Sequence, residues 1–341
     1  MKLEENECIT RGPFKGRKFL LISASFFGYE TLISDELRRL GAEVHYFDER
    51  PSNDFITKSL IRINYRLLKS RLRKYYQHII EYAKKESIDE ILIIRGEAIS
   101  KELIKDFKRS CPSAKFRLYL WDSMSYNPNA LKIREEFNSV YSFDHEDAKL
   151  YTDVKFLPLF YSNLFAGTEF PKHSFLYDAC FIGTIHTDRY KIVDKLVGVL
   201  RQNGRRVYTY YYYPSRVLCF CRALVDKGFR KFVRESVNFK GLSLPQIVEL
   251  FNESRCVIDI NRPKQQGLTM RTIETYGARR KLITTNQDVM NYSLFNPNDV
   301  CVVDRNHPQI PDSFFEHQFD APSEEKWRSY SIEAWLVKLF S

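Results

Sequence analysis

Short apolar runs alternate with segments of helical periodicity along the first half of the chain. The run FLLISAS, inside 17–25, is apolar enough for a strand that is buried on both faces. It is followed by TLISDELRRLG, whose apolar residues at 32, 33, 37 and 40 predict a helix that stops at Gly41. The same reasoning predicts further strands at 44–48, 89–97, 116–122, 139–144 and 154–160, and helices at about 53–87 and, opened by Ser100, at 100–110.

The alternation restarts near residue 177. A strand at 177–184 and a helix at 188–202 are followed by predicted strands at 207–213, 237–241, 256–261, 281–286 and 300–304. Ser243 and Pro245 open one helix, a second starts near Thr269 or Met270, and 323–340 is expected to form a terminal helix.

Regular alternation of strands and helices predicts parallel sheets that are covered by helices. A chain of 341 residues exceeds what one hydrophobic core usually supports. We therefore expect an α/β protein with two Rossmann-like domains whose parallel sheets face a cleft. The Gly-, Pro- and Ser-containing segment 161–176 marks the seam, and the expected domains are 1–165 and 166–320, followed by a terminal segment 321–341.

Composition narrows the class of protein. Apolar residues make up 44% of the chain, yet no stretch approaches the roughly 20 apolar residues that span a bilayer, and the N-terminus lacks the apolar core of a signal peptide. The 7 cysteines have no zinc-like spacing, which predicts reduced thiols in a cytosolic protein. The net charge of +10 suits nucleic acid, an anionic membrane or a phosphorylated substrate.

The segment RPKQQGLTMRTIETYG at 262–277 carries the clearest candidate chemistry. It leads from the end of a predicted strand into a helix N-terminus, where free backbone N–H groups and the helix dipole favour a phosphate. Gly267 permits close approach of the backbone, Arg262 and Arg271 add charge, and Glu274 would accept hydrogen bonds from a ribose. Alternatively, Glu274 is a solvated helix carboxylate and Gly267 an ordinary turn residue.

A second turn of this kind, FIGTIHTDR at 181–189, follows another predicted strand and would lie at the same sheet edge. Neither turn is a GxGxxG or a P-loop. The two turns together predict a nucleotide diphosphate site, with these candidate residues: Gly183, Thr184, His186, Arg189, Arg262, Gln266, Gly267, Leu268, Thr269, Met270, Arg271 and Glu274.

Residues 177–305, above all 256–286, resemble the C-terminal domain of GT-B glycosyltransferases and are most similar to the CgeB-like group of capsule, lipopolysaccharide and spore-coat proteins. LYLWDSMSYNPN (118–129) and YSFDHEDAKLY (141–151) resemble its N-terminal half. The resemblance implies a nucleotide-sugar donor on the C-terminal domain, an acceptor on the N-terminal domain, a terminal helix that returns to the first domain, and no bound metal or other cofactor. Glu274 and Gly267 match the donor-binding Glu and the Gly before it, whereas Gln266 stands where retaining members often carry a second Glu.

An inverting transferase also needs a base. Asp122, Glu97 and Asp144 each end a predicted strand and are the candidates, although each could instead cap a helix or lie in a loop. Phe27, Gly28 and Tyr29 follow the first strand and are candidates for the acceptor side.

Two basic stretches, 62–76 and 210–232, mix cations with aromatic residues. They would suit the cytoplasmic membrane face that carries a lipid-linked acceptor, or they are solvated helix faces. No recognised nucleic-acid module accompanies them, so nucleic acid is not expected as a partner. The sequence thus predicts a cytoplasmic glycosyltransferase that builds a surface glycan, and a membrane-peripheral one where the basic stretches bind the bilayer. A nucleotide-sugar epimerase and a non-catalytic scaffold for polysaccharide assembly remain as alternatives.

Overall fold

The chain forms two compact units, each built on one parallel sheet. The structure is a computed structural model that describes residues 12–52, 54, 57, 65–166, 175–185, 187–263 and 266–341. The first unit comprises residues up to 158 together with 332–341, and the second comprises 159–331. The predicted α/β class with two Rossmann-like domains is therefore confirmed.

The first unit has a six-stranded sheet in the order β2-β1-β3-β4-β5-β6, and all neighbouring strands are parallel. Its strands are β1 (Lys18–Ile22), β2 (Glu43–Phe47), β3 (Glu90–Ile94), β4 (Lys115–Leu120), β5 (Ser139–Ser142) and β6 (Val154–Phe156). Its helices are α1 (Tyr29–Arg39), α2 (Lys69–Glu86), α3 (Lys101–Ser110), α4 (Pro128–Ile133) and α5 (His145–Leu150). All five residues of β3 are buried, as expected for a strand covered on both faces.

Local signals in the sequence place two of these helices. The hydroxyl of Ser100 accepts a hydrogen bond from the Leu103 N–H and caps α3 as predicted. Within the range 53–87, where one long basic helix was expected, the structure has the 3-10 turn Tyr65–Leu68 followed by α2. Residues 53, 55, 56 and 58–64 of that prediction lie outside the described part of the chain.

The second unit repeats this architecture. Its parallel six-stranded sheet has the order β12-β11-β10-β7-β8-β9. Its strands are β7 (Tyr177–Thr184), β8 (Val207–Tyr212), β9 (Val237–Asn238), β10 (Ser254–Asp259), β11 (Lys281–Thr284) and β12 (Val300–Val302). Its helices are α6 (Arg189–Gln202), α7 (Arg216–Val225), α8 (Lys227–Ser236), α9 (Leu244–Asn252), α10 (Met270–Gly277), α11 (Ser313–Glu316) and α12 (Glu324–Arg328). Because β7 and β10 are neighbours, the turns that follow them emerge side by side.

The terminal segment is not the single helix predicted at 323–340. Helix α12 ends at Arg328, and α13 (Ile332–Phe340) begins after an interruption. The interruption is a turn at Ser329 and Tyr330 followed by Ser331, which pairs with Tyr161 in a parallel bridge, and the N–H of Tyr161 donates to the Tyr330 carbonyl at 2.9 Å. Helix α13 then packs on the first unit, where Nε of Arg117 on β4 donates to the Leu339 carbonyl at 2.7 Å. The expected return of the chain to the first unit is thus present.

Within the described residues, no helix is both long and apolar enough to cross a bilayer.

Candidate functional site

The turn between β10 and α10 is held by a carboxylate at the end of the strand. The buried Asp259 accepts hydrogen bonds from the hydroxyls of Thr269 and Thr272, the second at 2.7 Å. The Thr269 oxygen also accepts a hydrogen bond from the Thr272 N–H at 3.2 Å, so Thr269 is the N-cap of α10. The helix therefore begins at Met270, as the sequence predicted, and Asp259 fixes where its N-terminus lies.

The loop before this cap is held from the next strand. Nδ2 of Asn286, just beyond β11, donates to the carbonyls of Gln266 and Gly267 at 3.0 and 3.2 Å. Gly267 and Leu268 are buried, whereas Gln266 is exposed. The Thr272 N–H is used by the cap, which leaves the N–H groups of Met270 and Arg271 as the donors that the start of α10 could offer to a ligand.

Arg189 begins α6 after the neighbouring strand β7. Its NH1 donates to the Thr184 carbonyl at 3.2 Å, while its Nε is buried and has no hydrogen-bond partner among the described residues. Burial lowers the pKa of Arg189 to about 10; Asp259 opposes this shift, and the charges of Arg262, Arg271 and Arg305 add to it. A mostly buried guanidinium with an unused donor and several cationic neighbours is suited to an anion.

Arg305, which the sequence analysis missed, connects three loops of this sheet edge. Its NH1 donates to the Asn261 side chain and to the Thr285 hydroxyl, each at 3.0 Å, and its NH2 contacts both carboxylate oxygens of Asp188 at 3.2 Å. Burial raises the pKa of Asp188, but hydrogen bonding to Arg305 and its charge outweigh burial and lower the pKa overall. Arg305 follows β12 closely, so the rule that residues after strands line the site would have found it.

Glu274 lies one turn into α10 and is 1% exposed. Its Oε2 is 2.8 Å from NH1 of Arg271, whose guanidinium lies 5.2 Å from the centroid of the Phe251 ring. The ion pair compensates the buried carboxylate and fixes its direction. Glu274 is therefore not the solvated helix carboxylate that the sequence left as an alternative.

The remaining donor-site candidates lie around this turn or outside the described residues. Gly183 and Thr184 end β7, Arg262 is exposed after β10, and Met270 is the first residue of α10. His186 lies outside the described residues, so its predicted role stays a prediction. The structure brings the two predicted turns together at one edge of the second sheet, and Arg262, Arg271 and Arg305 are all close enough to Arg189 for their charges to lower its pKa.

The first unit gathers charged side chains at the corresponding end of its own sheet. NH2 of Arg95 is 2.9 Å from Asp122 and 3.5 Å from Glu97, and Glu97 also pairs with Arg50 at 3.0 Å. Arg95 has a φ of 78°, a left-handed conformation that non-glycine residues rarely adopt. Two of the three candidate bases thus share one guanidinium that is held in a strained backbone.

Asp144, the third candidate base, is a helix cap. It is buried, and its Oδ1 accepts a hydrogen bond from the Glu146 N–H at 3.0 Å at the start of α5. This is the alternative role that the sequence left open, and a catalytic role for Asp144 stays a prediction.

The candidate acceptor residues form an aromatic turn after β1. Phe27 has a φ of 53° and Gly28 a φ of 81°, so the turn is left-handed at two successive residues. The rings of Phe26 and Phe27 are exposed and 4.5 Å apart, whereas Tyr29 is buried against Trp121. Exposed rings at the end of a parallel strand offer a surface on which a sugar can stack.

The architecture matches solved structures of GT-B glycosyltransferases over nearly the whole chain. The apo form of the lipopolysaccharide outer core galactosyltransferase WaaB is 14% identical, with a TM-score of 0.52, and the match covers 95% of this chain and 99% of WaaB. HepE from Anabaena, in complex with UDP and glucose, is 12% identical, with a TM-score of 0.54 and coverage of 95% and 94%. The catalytic domain of starch synthase IV from Arabidopsis thaliana, bound to ADP and acarbose, is 8% identical, with a TM-score of 0.53 and coverage of 96% and 98%.

These similarities show that the chain has the GT-B fold. No protein-family model matches the sequence, and no curated protein matches it either. The narrower resemblance to the CgeB-like group is not confirmed.

Proposed function

We propose that this protein is a glycosyltransferase that transfers a sugar from a nucleotide diphosphate sugar to a surface-glycan acceptor without a metal ion. The observation that carries the proposal is the gathering of cationic side chains and a helix N-terminus at one edge of the second sheet. There, α10 starts after one strand and the largely buried Arg189 follows its neighbour in the sheet. The GT-B fold supports the proposal, since solved proteins with this fold hold UDP or ADP.

We assign the parts of the donor to separate residues. The diphosphate would accept hydrogen bonds from the N-terminus of α10 and from Arg189, with Arg262 nearby. The ribose hydroxyls would donate to Glu274, whose carboxylate is already oriented by Arg271. Because cations and helix N–H groups neutralise the leaving diphosphate, no metal is needed in this scheme.

For the base, we rank Asp122 ahead of Glu97 and Asp144. Asp122 pairs with Arg95 alone among the contacts described, and its side chain is 35% exposed, whereas Glu97 pairs with two guanidiniums and is 16% exposed. A base must be reachable by the acceptor hydroxyl.

We propose that the acceptor sugar stacks on the exposed turn at Phe27. The similarity to WaaB, a lipopolysaccharide outer core galactosyltransferase, supports a lipopolysaccharide-type acceptor. We further propose a cytoplasmic protein that works at the membrane face.

Thermal unfolding with a panel of ligands tests the donor site. A nucleoside diphosphate at 100 times its dissociation constant should raise the free energy of unfolding by about 2.7 kcal/mol. For a domain of this size, that raises the melting temperature by about 5–10 °C. We expect one base to be preferred, and the shift to persist in EDTA. A shift that needs added divalent metal would contradict the metal-free scheme.

Two variants distinguish the proposed ribose contact from the proposed diphosphate contact. Glu274→Gln should weaken binding of both the nucleoside and its diphosphate, whereas Arg189→Gln should weaken only the diphosphate and inorganic pyrophosphate, by about 1.5–3 kcal/mol. The exposed Glu249→Gln on α9 is the matched control and should behave as wild type. If no nucleotide shifts the melting curve, the transferase proposal fails and a scaffold role gains support. If the donor is turned over without an acceptor into an epimer, the epimerase alternative is correct.

A further inference from the structure

Helix α7 of the second unit exposes an apolar surface that no described residue covers. Six of its ten residues are exposed apolar side chains or cysteine, and Val217 and Val225 reach 71% and 85% exposure. At about 100° per residue they occupy a continuous arc of about 160° that contains no charged residue. We call this surface the apolar arc: Val217, Leu218, Phe220, Cys221, Leu224 and Val225.

The opposite side of α7 is firmly attached to the unit. Cys219 is buried in the core, Ala223 packs against it, and the guanidinium of Arg222 lies 4.1 Å from the centroid of the Phe229 ring. Arg222 also donates to the carbonyls of Ile185 and Thr187 in the turn before Arg189. The apolar arc is therefore displayed by a fixed helix. Single exposed apolar residues are common on protein surfaces, but a contiguous apolar patch marks a binding surface.

Exposed positive charges flank the apolar arc along the chain. Arg216 precedes it, and Lys227, Arg230 and Lys231 follow on α8, all of them exposed. Within residues 210–232 there are five cations and one acid, Asp226. The carboxylate of Asp226 is occupied, because it accepts hydrogen bonds from the Tyr190 hydroxyl and the Phe229 N–H.

We infer that the apolar arc and its flanking cations dock the protein onto an anionic lipid bilayer, with α7 lying in the interface. An apolar helix face bordered by Lys and Arg is the pattern of an interfacial helix, and each cation near an anionic surface adds about fivefold to binding. A second copy of the chain is disfavoured as the occupant because it would bring the same cations together, in a protein of net charge +10. The inference is independent of the proposed sugar transfer.

Vesicle sedimentation tests the inference on the full chain. Wild type should bind vesicles of phosphatidylcholine with phosphatidylglycerol, and bind those of phosphatidylcholine alone much less. The double variant Phe220→Ser, Leu224→Ser should lose roughly tenfold or more in affinity, because the arc supplies the inserted apolar area. The double variant Lys227→Gln, Lys231→Gln should lose about 25-fold in affinity at low salt and little at high salt.

Leu150→Ser is the matched control, since Leu150 is a 69% exposed apolar residue on a helix of the first unit. It should bind vesicles as wild type does. In the variant Phe220→Trp, the tryptophan fluorescence should shift to the blue when anionic vesicles are added. Melting curves verify that each variant is folded. Their shift with nucleoside diphosphate reports on the donor site alone, so a failure of the docking inference can be told apart from a failure of the proposed donor site.

Three results would overturn the inference. One is absence of binding to anionic vesicles at low salt. Another is an equal loss of binding in Leu150→Ser. The last is a wild-type dimer in solution that the Phe220→Ser, Leu224→Ser variant converts to a monomer, because the arc would then be covered by a second copy.

Discussion

Glu49→Gln should flatten the dependence of stability on pH in the first unit. Glu49 follows β2 and is completely buried. Its Oε1 accepts a hydrogen bond from the Ala98 N–H at 2.7 Å, while Oε2 has no hydrogen-bond partner among the described residues. Burial raises the pKa of Glu49 to about 7; the Ala98 N–H and the nearby Arg95 lower it, and Glu97 raises it. The folded protein therefore holds this proton more tightly than the unfolded chain does.

The size and sign of the effect follow from that shift. The pKa of Glu49 rises from its ordinary value of 4.5 to about 7 on folding. At about 1.4 kcal/mol per pKa unit, ionising Glu49 costs about 3 kcal/mol more in the folded protein than in the unfolded chain. Below pH 4.5 both states are protonated and the penalty is absent. As the pH rises from 4.5 to about 7, the unfolded state ionises first and the free energy of unfolding falls. Above about pH 7 the full penalty applies.

Urea unfolding from pH 5 to pH 8 measures the effect, followed by the fluorescence of Trp121 and Trp335, which both belong to the first unit. Wild type should lose about 2.5 kcal/mol more than Glu49→Gln across this range, because a small part of the penalty already applies at pH 5. The exposed Glu81→Gln on α2 is the control for removing a carboxylate and should keep the wild-type slope. Equal slopes in wild type and Glu49→Gln would refute the reasoning, because the carboxyl would then not be held in its neutral form.

Two further predictions concern packing in the second unit. A Cβ on Gly277 would lie 2.3 Å from Cγ of Tyr161, so Gly277→Ala should lower the unfolding free energy by about 1–3 kcal/mol. Gly198→Ala, inside α6 with no atom within 4 Å of the new Cβ, should raise it by about 0.5–1 kcal/mol, and calorimetry compares the two. Thr272→Val removes a buried hydrogen bond to Asp259 and should cost about 1–2 kcal/mol in urea unfolding. Thr272→Ser, which keeps the hydroxyl, should cost clearly less; equal losses would argue against the hydrogen bond.

Most of the fold could be predicted because its strands are local apolar runs. Strand β3 was expected at 89–97 and occupies Glu90–Ile94, and α3 begins after Ser100 as its capping residue indicated. The terminal helix was the error. Its interruption at Tyr330 and Ser331 depends on pairing with Tyr161, a residue far away in the sequence, and no local pattern carries that information.

The sequence was enough to predict which turns meet at the candidate site. It was not enough to predict how the side chains of these turns pair. Strand order places the turns after β7 and β10 together, and a cap at Thr269 follows from its residue type. By contrast, the bonds from Arg305 to Asp188 and Asn261 join residues more than forty positions apart, so only the folded chain shows them. The ion pair of Arg271 with Glu274 lay within reach of a spacing argument, because residues three apart on a helix face each other.

The net charge of +10 could not identify a partner from the sequence, but its distribution in the second unit separates two kinds of anion. Arg189 is mostly buried at the sheet edge and has a donor without a partner, which suits a small ligand that enters and excludes water. Lys227 and Lys231 are exposed beside the apolar arc, which suits an extended surface. Exposed charges are screened over about 8 Å at physiological salt, whereas buried ones are screened much less. Added salt should therefore release the protein from anionic vesicles well before it weakens nucleotide binding, and a parallel loss of both would mean that one set of cations serves both ligands.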